Sequence, residues 1–258
     1  TGQAATEVTA IGCHSGLWRP VEGTFSSFTE LMGWVPLFAP MRQASEVLGP
    51  LLPEIRGRTG LPEDCRVRVG IHDSNASFLR HRMARAIPFA VASTGTWVVC
   101  MAAGVDPRGM PENRGCLANV DALGSPVATC NFMGGREFAE QTRDLDRCLT
   151  TLESEAEVVE RGSFLVPPLN QGGGPFIGAP IGGPAGARTE SGEQAVARAS
   201  LYLALMTDYC FDLLKARGPV IVEGSLTGNQ AYLSALATLR RSENVLVSSD
   251  TTGTVSGA

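Results

Sequence analysis

Lysine is almost absent from this chain of 258 residues. It occurs once, at Lys215, so 20 of the 21 basic residues are arginine. A phosphate-binding P-loop ends in Gly-Lys-Ser or Gly-Lys-Thr, whereas Lys215 lies between Leu214 and Ala216. The P-loop class of nucleotide-binding proteins is therefore excluded, and any phosphate chemistry requires a different scaffold.

Metal-binding and membrane signals are also missing. The seven cysteines are scattered, with no Cys-x-x-Cys pair and no histidine pair at ligand spacing, and no Gly-x-Ser-x-Gly motif occurs. This pattern argues against a structural zinc site or a redox dithiol and predicts no metal site. We expect reduced, mostly buried thiols in a cytoplasmic protein. No apolar run reaches the ~20 residues of a membrane span, and no signal peptide opens the chain.

The composition is that of a globular, mildly acidic protein. Hydrophobic residues make up 43% of the chain and charged residues 18%, with a net charge of −5. An acidic balance gives no electrostatic footprint for nucleic acid, so we predict no nucleic-acid partner. The length suffices for one or two hydrophobic cores without disulfide or metal staples.

The sequence pattern changes at residue 65/66, which divides the chain into two segments. Residues 1–65 are rich in glycine and proline, with one helix predicted from Arg42 towards Ile55 and no opening strand for an α/β sheet. They are interpreted as the end of a domain whose beginning is absent. The first residue, Thr1, is not a methionine, which fits this expectation.

From residue 66 the pattern becomes that of an α/β domain. Apolar and polar residues alternate from Arg66 to Asp73, which predicts a strand that presents Asp73 at its carboxyl end. A helix follows, and then two apolar runs on either side of Ser93–Thr96 predict an antiparallel hairpin. Further elements are predicted from periodicity and turn signals: a hairpin in 116–130, helices in 137–160, 191–217 and 230–239, and strands at 220–223 and 245–247.

Residues 167–186 are too rich in proline and glycine for a helix or a central strand. A surface loop and a loop that closes over a ligand both remain possible interpretations. Near the end, Asp250–Thr254 is followed by the predicted start of another helix.

Three short segments are candidate functional sites, although each is weak alone. Asp73 follows a strand, the usual position for chemistry in open sheets, but an aspartate before a helix is more often an N-cap. The Ser93–Thr96 turn can surround phosphate oxygens with N–H and O–H groups, but such turns also occur without ligands. Gly224 begins a strand–turn–helix connection, a geometry that offers backbone N–H groups to an anion.

The order of these motifs along the chain is more specific than any one of them. The motifs are Thr6-Glu7-Val8-Thr9, Gly12-Cys13-His14, Gly70-Ile71-His72-Asp73-Ser74-Asn75-Ala76-Ser77, Ser93-Thr94-Gly95-Thr96-Trp97, Gly134-Gly135-Arg136-Glu137, Val222-Glu223-Gly224 and Thr252-Gly253-Thr254. This order resembles the C-terminal half of FGGY carbohydrate kinases. The His-Asp-Ser and Ser-Thr-Gly-Thr-Trp segments are most similar to the rhamnulokinase and L-fuculokinase branch.

The resemblance implies an α/β fold of the actin-like ATPase (ribonuclease H-like) type. Residues 1–65 would be the C-terminal part of the FGGY N-terminal domain, of the same superfold, and residues 66–258 the nucleotide-binding C-terminal domain. It also implies an ATP-dependent sugar kinase, a phosphotransferase with an alcohol group as acceptor, whose cofactors are ATP and Mg²⁺. Such kinases hold phosphates with β-hairpins, in agreement with the missing P-loop.

The resemblance also implies roles for individual residues. Asp73 would be the catalytic base on the sugar hydroxyl, with His72 and Ser74 also binding the substrate. Thr94, Gly95 and Thr96 would bind the nucleotide phosphates, and Gly224 would lie against the adenosine. The family often has Gly-Gly where this chain has Glu223-Gly224, and Gly134 with Gly135 is either a further nucleotide contact or a plain turn before a helix.

Several alternatives stay open. The family begins with an Asp-x-Gly-Thr phosphate hairpin that this chain lacks, so we expect an absent N-terminal portion and C-terminal tail, and no phosphorylation by this chain alone. A nucleotide- or sugar-binding regulator on the same fold is one alternative, and a hydrolase using Asp73 and His72 is another. The residues do not select among fuculose, rhamnulose, xylulose and a sugar acid or polyol, and they leave a homodimer open.

Overall fold

The structure, a computed structural model, describes residues 1–143, 145–188 and 191–249. Its contacts divide the chain into two compact units. Within the described residues, the first unit comprises 1–84 and 118–127, and the second comprises 85–117 and the remainder from 128. The sequence-based boundary at 65/66 stays a prediction, as does the assignment of each side to an FGGY domain. The predicted motif at Thr252–Thr254 and the last helix lie outside the described residues.

Short elements build the first unit. They are β1 (Thr6–Glu7), α1 (Val8–His14), β2 (Trp18–Arg19), β3 (Thr24–Phe25), α2 (Ser27–Leu31), β4 (Met41–Arg42), β5 (Val47–Pro50), α3 (Pro53–Thr59), β6 (Arg66–Arg68) and α4 (Asp73–Ala84). Three two-stranded sheets join β1 to β4, β2 to β3 and β5 to β6. The helix predicted from Arg42 towards Ile55 is wrong, because this stretch forms β4, β5 and only the start of α3.

The strand that was expected to reach Asp73 is also shorter than predicted. It ends at Arg68, and Gly70 adopts a left-handed φ of 94° that breaks the extended chain. The amide of His72 then donates to the Thr9 side chain rather than to a neighbouring strand. Asp73 is therefore the first residue of α4 and not the last residue of a strand.

A mixed six-stranded sheet, most of whose residues belong to the second unit, forms the centre of that unit. Its strands are β7 (Phe89–Thr94), β8 (Val98–Ala103), β9 (Cys116–Val120), β10 (Pro126–Phe132), β13 (Val220–Gly224) and β14 (Val245–Val247), in the spatial order β14-β13-β7-β8-β10-β9. The predicted hairpin is confirmed, with Phe89 opposite Ala103 and Thr94 opposite Val98. β13 runs parallel to both β7 and β14.

Helices and one small hairpin complete the second unit. They are α5 (Gly134–Thr142), α6 (Leu152–Glu160), β11 (Phe164–Val166), β12 (Gly183–Ala185), α7 (Gly192–Leu213) and α8 (Gln230–Leu239). The periodic apolar face of α7 is buried in the core as predicted. The Ser191 hydroxyl accepts from the Gln194 amide and caps this helix. None of the helices in the described ranges is long and apolar enough to cross a membrane.

One sequence-based expectation in the second unit needs correction, and the structure describes one segment whose interpretation the sequence left open. The single helix predicted over 137–160 is two helices, because Arg143 adopts a left-handed φ of 52° after α5 and Thr151 begins α6 with a reciprocal capping box to Ser154. The segment 167–186 is more than a surface loop. Its Phe176 packs on the core and stacks on Tyr209 at a ring-centroid distance of 5.3 Å.

Candidate functional site

His72, Asp73 and Ser74 form a compact polar group at the start of α4. The Asp73 side chain is 75% exposed, and its Oδ1 lies 3.2 Å from His72 Nδ1. The same Oδ1 accepts the Ser74 backbone N–H at 2.6 Å. His72 Nδ1 in turn lies 3.0 Å from Ser74 Oγ. The structure therefore brings together the three residues predicted to bind substrate, all in the first unit.

A buried hydrogen-bond chain fixes the backbone beside Asp73. The His72 amide donates to Thr9 Oγ1 at 3.0 Å, and Thr9 Oγ1 donates to Glu7 Oε2 at 2.5 Å. Glu7 Oε2 also accepts the Ala10 amide at 2.9 Å and caps α1. Sequence reasoning assigned no role to Glu7 or Thr9, although the Thr6–Thr9 segment was one of the motifs carrying the resemblance.

The first turn of α4 is anchored to residues 118–127 of the same unit. Asn75 Nδ2 donates to the Val120 carbonyl at 2.5 Å. Cys13 lies beside this turn, and burial raises the pKa of its thiol. A buried thiol with a raised pKa is a poor nucleophile, so Cys13 is a packing residue rather than a second reactive group.

In the second unit, Thr94 joins the hairpin turn to the end of β13. Its Oγ1 donates to the Glu223 carbonyl at 2.5 Å and accepts the Leu226 amide at 2.9 Å. Its carbonyl accepts the Ser225 amide at 2.6 Å. Thr94 is only 3% exposed. Because its side chain is fully engaged, Thr94 positions the turn.

The exposed tip of the turn, Gly95 and Thr96, rests against the N-terminus of α5. The Thr96 carbonyl accepts the amides of Gly135 at 3.2 Å and Arg136 at 3.3 Å. A Cβ on Gly135 would lie 2.0 Å from the Gly95 carbonyl oxygen, and one on Gly134 would lie 2.6 Å from Val98 Cγ2. Close packing therefore explains why both helix residues are glycine.

Gly224 has a similar structural requirement. Its φ is 86°, and a Cβ there would lie 2.1 Å from the Thr94 carbonyl oxygen. Downstream, the buried Asn229 caps α8 by accepting the Tyr232 amide at 2.9 Å, and it donates to Ser200 Oγ at 2.8 Å. The predicted contact of Gly224 with adenosine stays a prediction.

Glu137, on α5, is a buried carboxylate that sequence reasoning left without a role. Asn170 Nδ2 donates to its Oε1 at 2.8 Å and the Tyr202 hydroxyl donates to its Oε2 at 3.0 Å. Burial raises the pKa of Glu137 above its ordinary value. The residue ties the segment that contains Asn170 to α5 and α7. Within the described residues, no cluster of three or more histidine, cysteine or acidic side chains could hold a metal ion.

A family model covers the second of these two groups, whereas His72, Asp73 and Ser74 lie before the residues that it matches. The model described as carbohydrate kinase FGGY, C-terminal domain, matches residues 86–258, which is more than half of the chain. The chain belongs to the FGGY carbohydrate kinase family. The expected family is thereby confirmed, while its assignment to the rhamnulokinase and L-fuculokinase branch stays a prediction.

Solved carbohydrate kinases have the same fold. A carbohydrate kinase from Novosphingobium aromaticivorans is 38% identical with a TM-score of 0.88, and the match covers 100% of this chain and 58% of that one. Gluconate kinase and xylulose kinase from Lactobacillus acidophilus are each 15% identical, with TM-scores of 0.77 and 0.75, and each match covers 100% of this chain and 55% of the other. No curated protein matches the chain.

The comparisons confirm the expected fold class, an actin-like ATPase (ribonuclease H-like) α/β fold. The chain spans between 55% and 58% of the length of these solved kinases. The activity and the substrates of the whole protein are therefore proposed below and not taken from these comparisons.

Proposed function

We propose that the whole protein is an ATP-dependent carbohydrate kinase, which transfers the γ-phosphoryl group of ATP to a hydroxyl of a ketose or related sugar. Membership of the FGGY family gives the reaction class. The observation that carries the proposal is the exposed Asp73 carboxylate, held at the start of α4 by the Ser74 amide and beside His72.

Asp73 is assigned as the general base. Its Oδ1 is oriented by the Ser74 amide, while among the described residues no donor bonds Oδ2. Oδ2 can therefore accept the proton of the sugar hydroxyl as that oxygen attacks phosphorus. His72 and Ser74 are assigned as sugar contacts. A positioned base contributes about 10²- to 10⁴-fold to rate.

The hairpin turn of the second unit is assigned to the nucleotide phosphates. Gly95 and the Thr96 hydroxyl form its exposed tip, and donors fixed in place before the reaction stabilise the charge that develops on a transferred phosphoryl group. Thr94 acts by holding this turn. Gly224 is assigned to a position against the adenosine.

Mg²⁺ is proposed to enter with ATP. This ion keeps several waters and binds through one or two carboxylates together with substrate phosphates, a mode that needs no cage of protein ligands. A cytoplasmic location and a homodimer are proposed as well. None of the seven cysteines, all of which lie within the described residues, forms a disulfide, which supports a reducing compartment. The residues do not decide the oligomeric state, so the homodimer is a proposal to be tested by size-exclusion chromatography.

A coupled ADP-release assay on the full-length protein with a panel of ketoses tests the proposal. We expect Asp73→Asn to lower kcat by about 10²- to 10⁴-fold with little change in Tm, because the side chain is exposed. Asp64→Asn, an exposed aspartate of the same unit, serves as the matched control and should leave kcat unchanged.

Full activity of Asp73→Asn would show that the base is assigned wrongly. If the wild-type protein binds nucleotide or sugar by calorimetry but releases no ADP with any sugar, the kinase proposal fails. A binding regulator on the same fold would then be the better account.

A further inference from the structure

A cavity of about 730 Å³ lies on the second unit, between α6, α7 and α8. It contains none of the residues assigned to sugar or nucleotide. Its walls are mostly apolar, formed chiefly by Leu152, Val159, Phe164, Leu201, Leu205 and Leu239. Ligand pockets typically have volumes of about 300 to 1,000 Å³ and combine apolar walls with a few polar groups.

One of those polar groups is Arg198, which projects from α7 and is only 8% exposed. Among the described residues it forms no ion pair or hydrogen bond, and its buried Nε has no partner. Burial lowers the pKa of its guanidinium. Leaving the buried Nε donor unpaired costs free energy, and an anion bound in the cavity would satisfy it.

Arg240 shows how the same fold satisfies an equally buried arginine. It too is 8% exposed, but it contacts Asp208 at 2.8 Å and Asp212 at 2.6 Å. Among the described residues, carboxylates pair with Arg240 and none pairs with Arg198. This contrast indicates that a carboxylate from outside the described chain would complete the environment of Arg198.

Ser163 adds a second unsatisfied polar group to the same cavity. The residue is 3% exposed, and its Oγ has no hydrogen-bond partner in the part of the chain that the structure describes. A hydroxyl can donate to one carboxylate oxygen while a guanidinium donates to the other. Arg198 and Ser163 line the same cavity, so both groups are offered to a carboxylate bound there.

Two acidic side chains of α6, Glu155 and Glu160, also line the cavity. Glu155 accepts from Thr150 Oγ1 at 3.4 Å, and burial raises the pKa of its carboxyl group. These carboxyl groups repel a dianion such as phosphate more strongly than a monoanion, because the repulsion grows with the charge of the ligand. The ligand that fits is a monoanion with an apolar body.

We propose that this cavity binds a small monocarboxylate with an apolar body, its carboxylate on Arg198 and Ser163 and its apolar part against the leucine and phenylalanine walls. The site is separate from the residues assigned to phosphoryl transfer. Its existence does not depend on the kinase proposal.

Calorimetric titration of the full-length protein with octanoate tests this site. Octanoate should bind, whereas 1-octanol, which has the same apolar body without the charge, should bind at least tenfold more weakly. Inorganic phosphate should not compete with octanoate. Equal affinity for octanoate and 1-octanol, or no binding of octanoate, would overturn the proposal.

Two variants of cavity residues, together with one control variant, test whether octanoate binds in this cavity. Arg198→Met keeps most of the apolar stem and should weaken octanoate binding at least tenfold, without lowering the Tm of the ligand-free protein, since an unpaired buried charge is lost. Ala156→Trp, at an exposed position of the lining, should block the cavity and abolish binding.

The exposed Arg217→Gln is the matched control and should bind octanoate as the wild type does. Unchanged affinity in both Arg198→Met and Ala156→Trp would overturn the proposal. A loss in Ala156→Trp supports it even if Arg198→Met fails to fold.

Discussion

The two units place their candidate functional groups in opposite ways. In the first unit, the key group is a side chain, Asp73, which is 75% exposed and held by short local hydrogen bonds. In the second unit, the key feature is the backbone of a hairpin turn, held by Thr94, which is 3% exposed. A substitution of an exposed side chain can therefore change the proposed chemistry without changing stability, whereas a substitution that moves the backbone of the packed turn should change both.

This difference follows from what each ligand requires. Proton abstraction needs one carboxylate free to reach a hydroxyl, so the surrounding contacts need only orient it. Phosphate binding by a turn needs several N–H groups in fixed directions. The turn is held rigid because it packs closely between α5 and the end of β13. This packing leaves no room for a Cβ at positions 135 and 224, so both residues are glycine.

The sharpest test of this comparison is Gly135→Ala. The new Cβ would lie 2.0 Å from the Gly95 carbonyl oxygen, so backbone must move. We expect a loss of about 3 kcal/mol in the free energy of unfolding, as in other overpacked sites. We also expect the KM for ATP of the full-length protein to rise at least tenfold. Thermal denaturation and steady-state kinetics give the two values.

Gly95→Ala is its matched control, because a Cβ at Gly95 would meet nothing closer than the Trp97 carbonyl oxygen at 3.8 Å. It should leave Tm close to the wild-type value. If Gly135→Ala were as stable as Gly95→Ala, the turn would not be held by close packing against α5. The proposed difference between a packed turn in the second unit and an exposed side chain in the first would then be wrong.

A second test separates the two threonines of the turn. Thr94→Val leaves the Glu223 carbonyl and the Leu226 amide without their side-chain partner. The expected loss is about 2 kcal/mol, the usual cost of unsatisfied buried groups. Thr94→Ser keeps the hydroxyl and should restore most of this stability in chemical denaturation.

Thr96→Val at the exposed tip should change stability by less than about 0.5 kcal/mol, as most surface substitutions do, while raising the KM for ATP. Equal destabilisation by Thr94→Val and Thr96→Val would mean that the hydrogen bonds of Thr94 do not distinguish the two positions.

Much of the second unit could be predicted because its signals are local. The hairpin at Ser93–Thr96, the capped helix α7 and the pair β13–α8 each follow from periodicity with a turn or cap beside it. The motif order also gave the family, since it depends on sequence alone. Features without a local signal were harder to predict. One example is the end of α5 at Arg143, a non-glycine residue whose left-handed conformation no sequence pattern indicates.

The supporting contacts of both candidate sites could not be predicted, because they join residues distant in sequence. Thr9 meets the His72 amide 63 residues later, and Thr94 meets Leu226 132 residues later. In the stretch 42–55, where the sequence predicts a helix, the strands β4 and β5 are set by pairing with β1 and β6. Tertiary pairing overrides such weak local preferences.

The smallest expected effect comes from Ser74→Ala in the first unit. This change removes the hydroxyl that lies 3.0 Å from His72 Nδ1 and keeps the backbone amide that orients Asp73. A single hydrogen bond of this kind contributes about 1 kcal/mol, so kcat/KM for the sugar should fall roughly fivefold. Tm should not change, because the polar group at the start of α4 is solvent-accessible. A clear drop in Tm with unchanged kinetics would show that this group stabilises the fold instead, and the two units would then not differ.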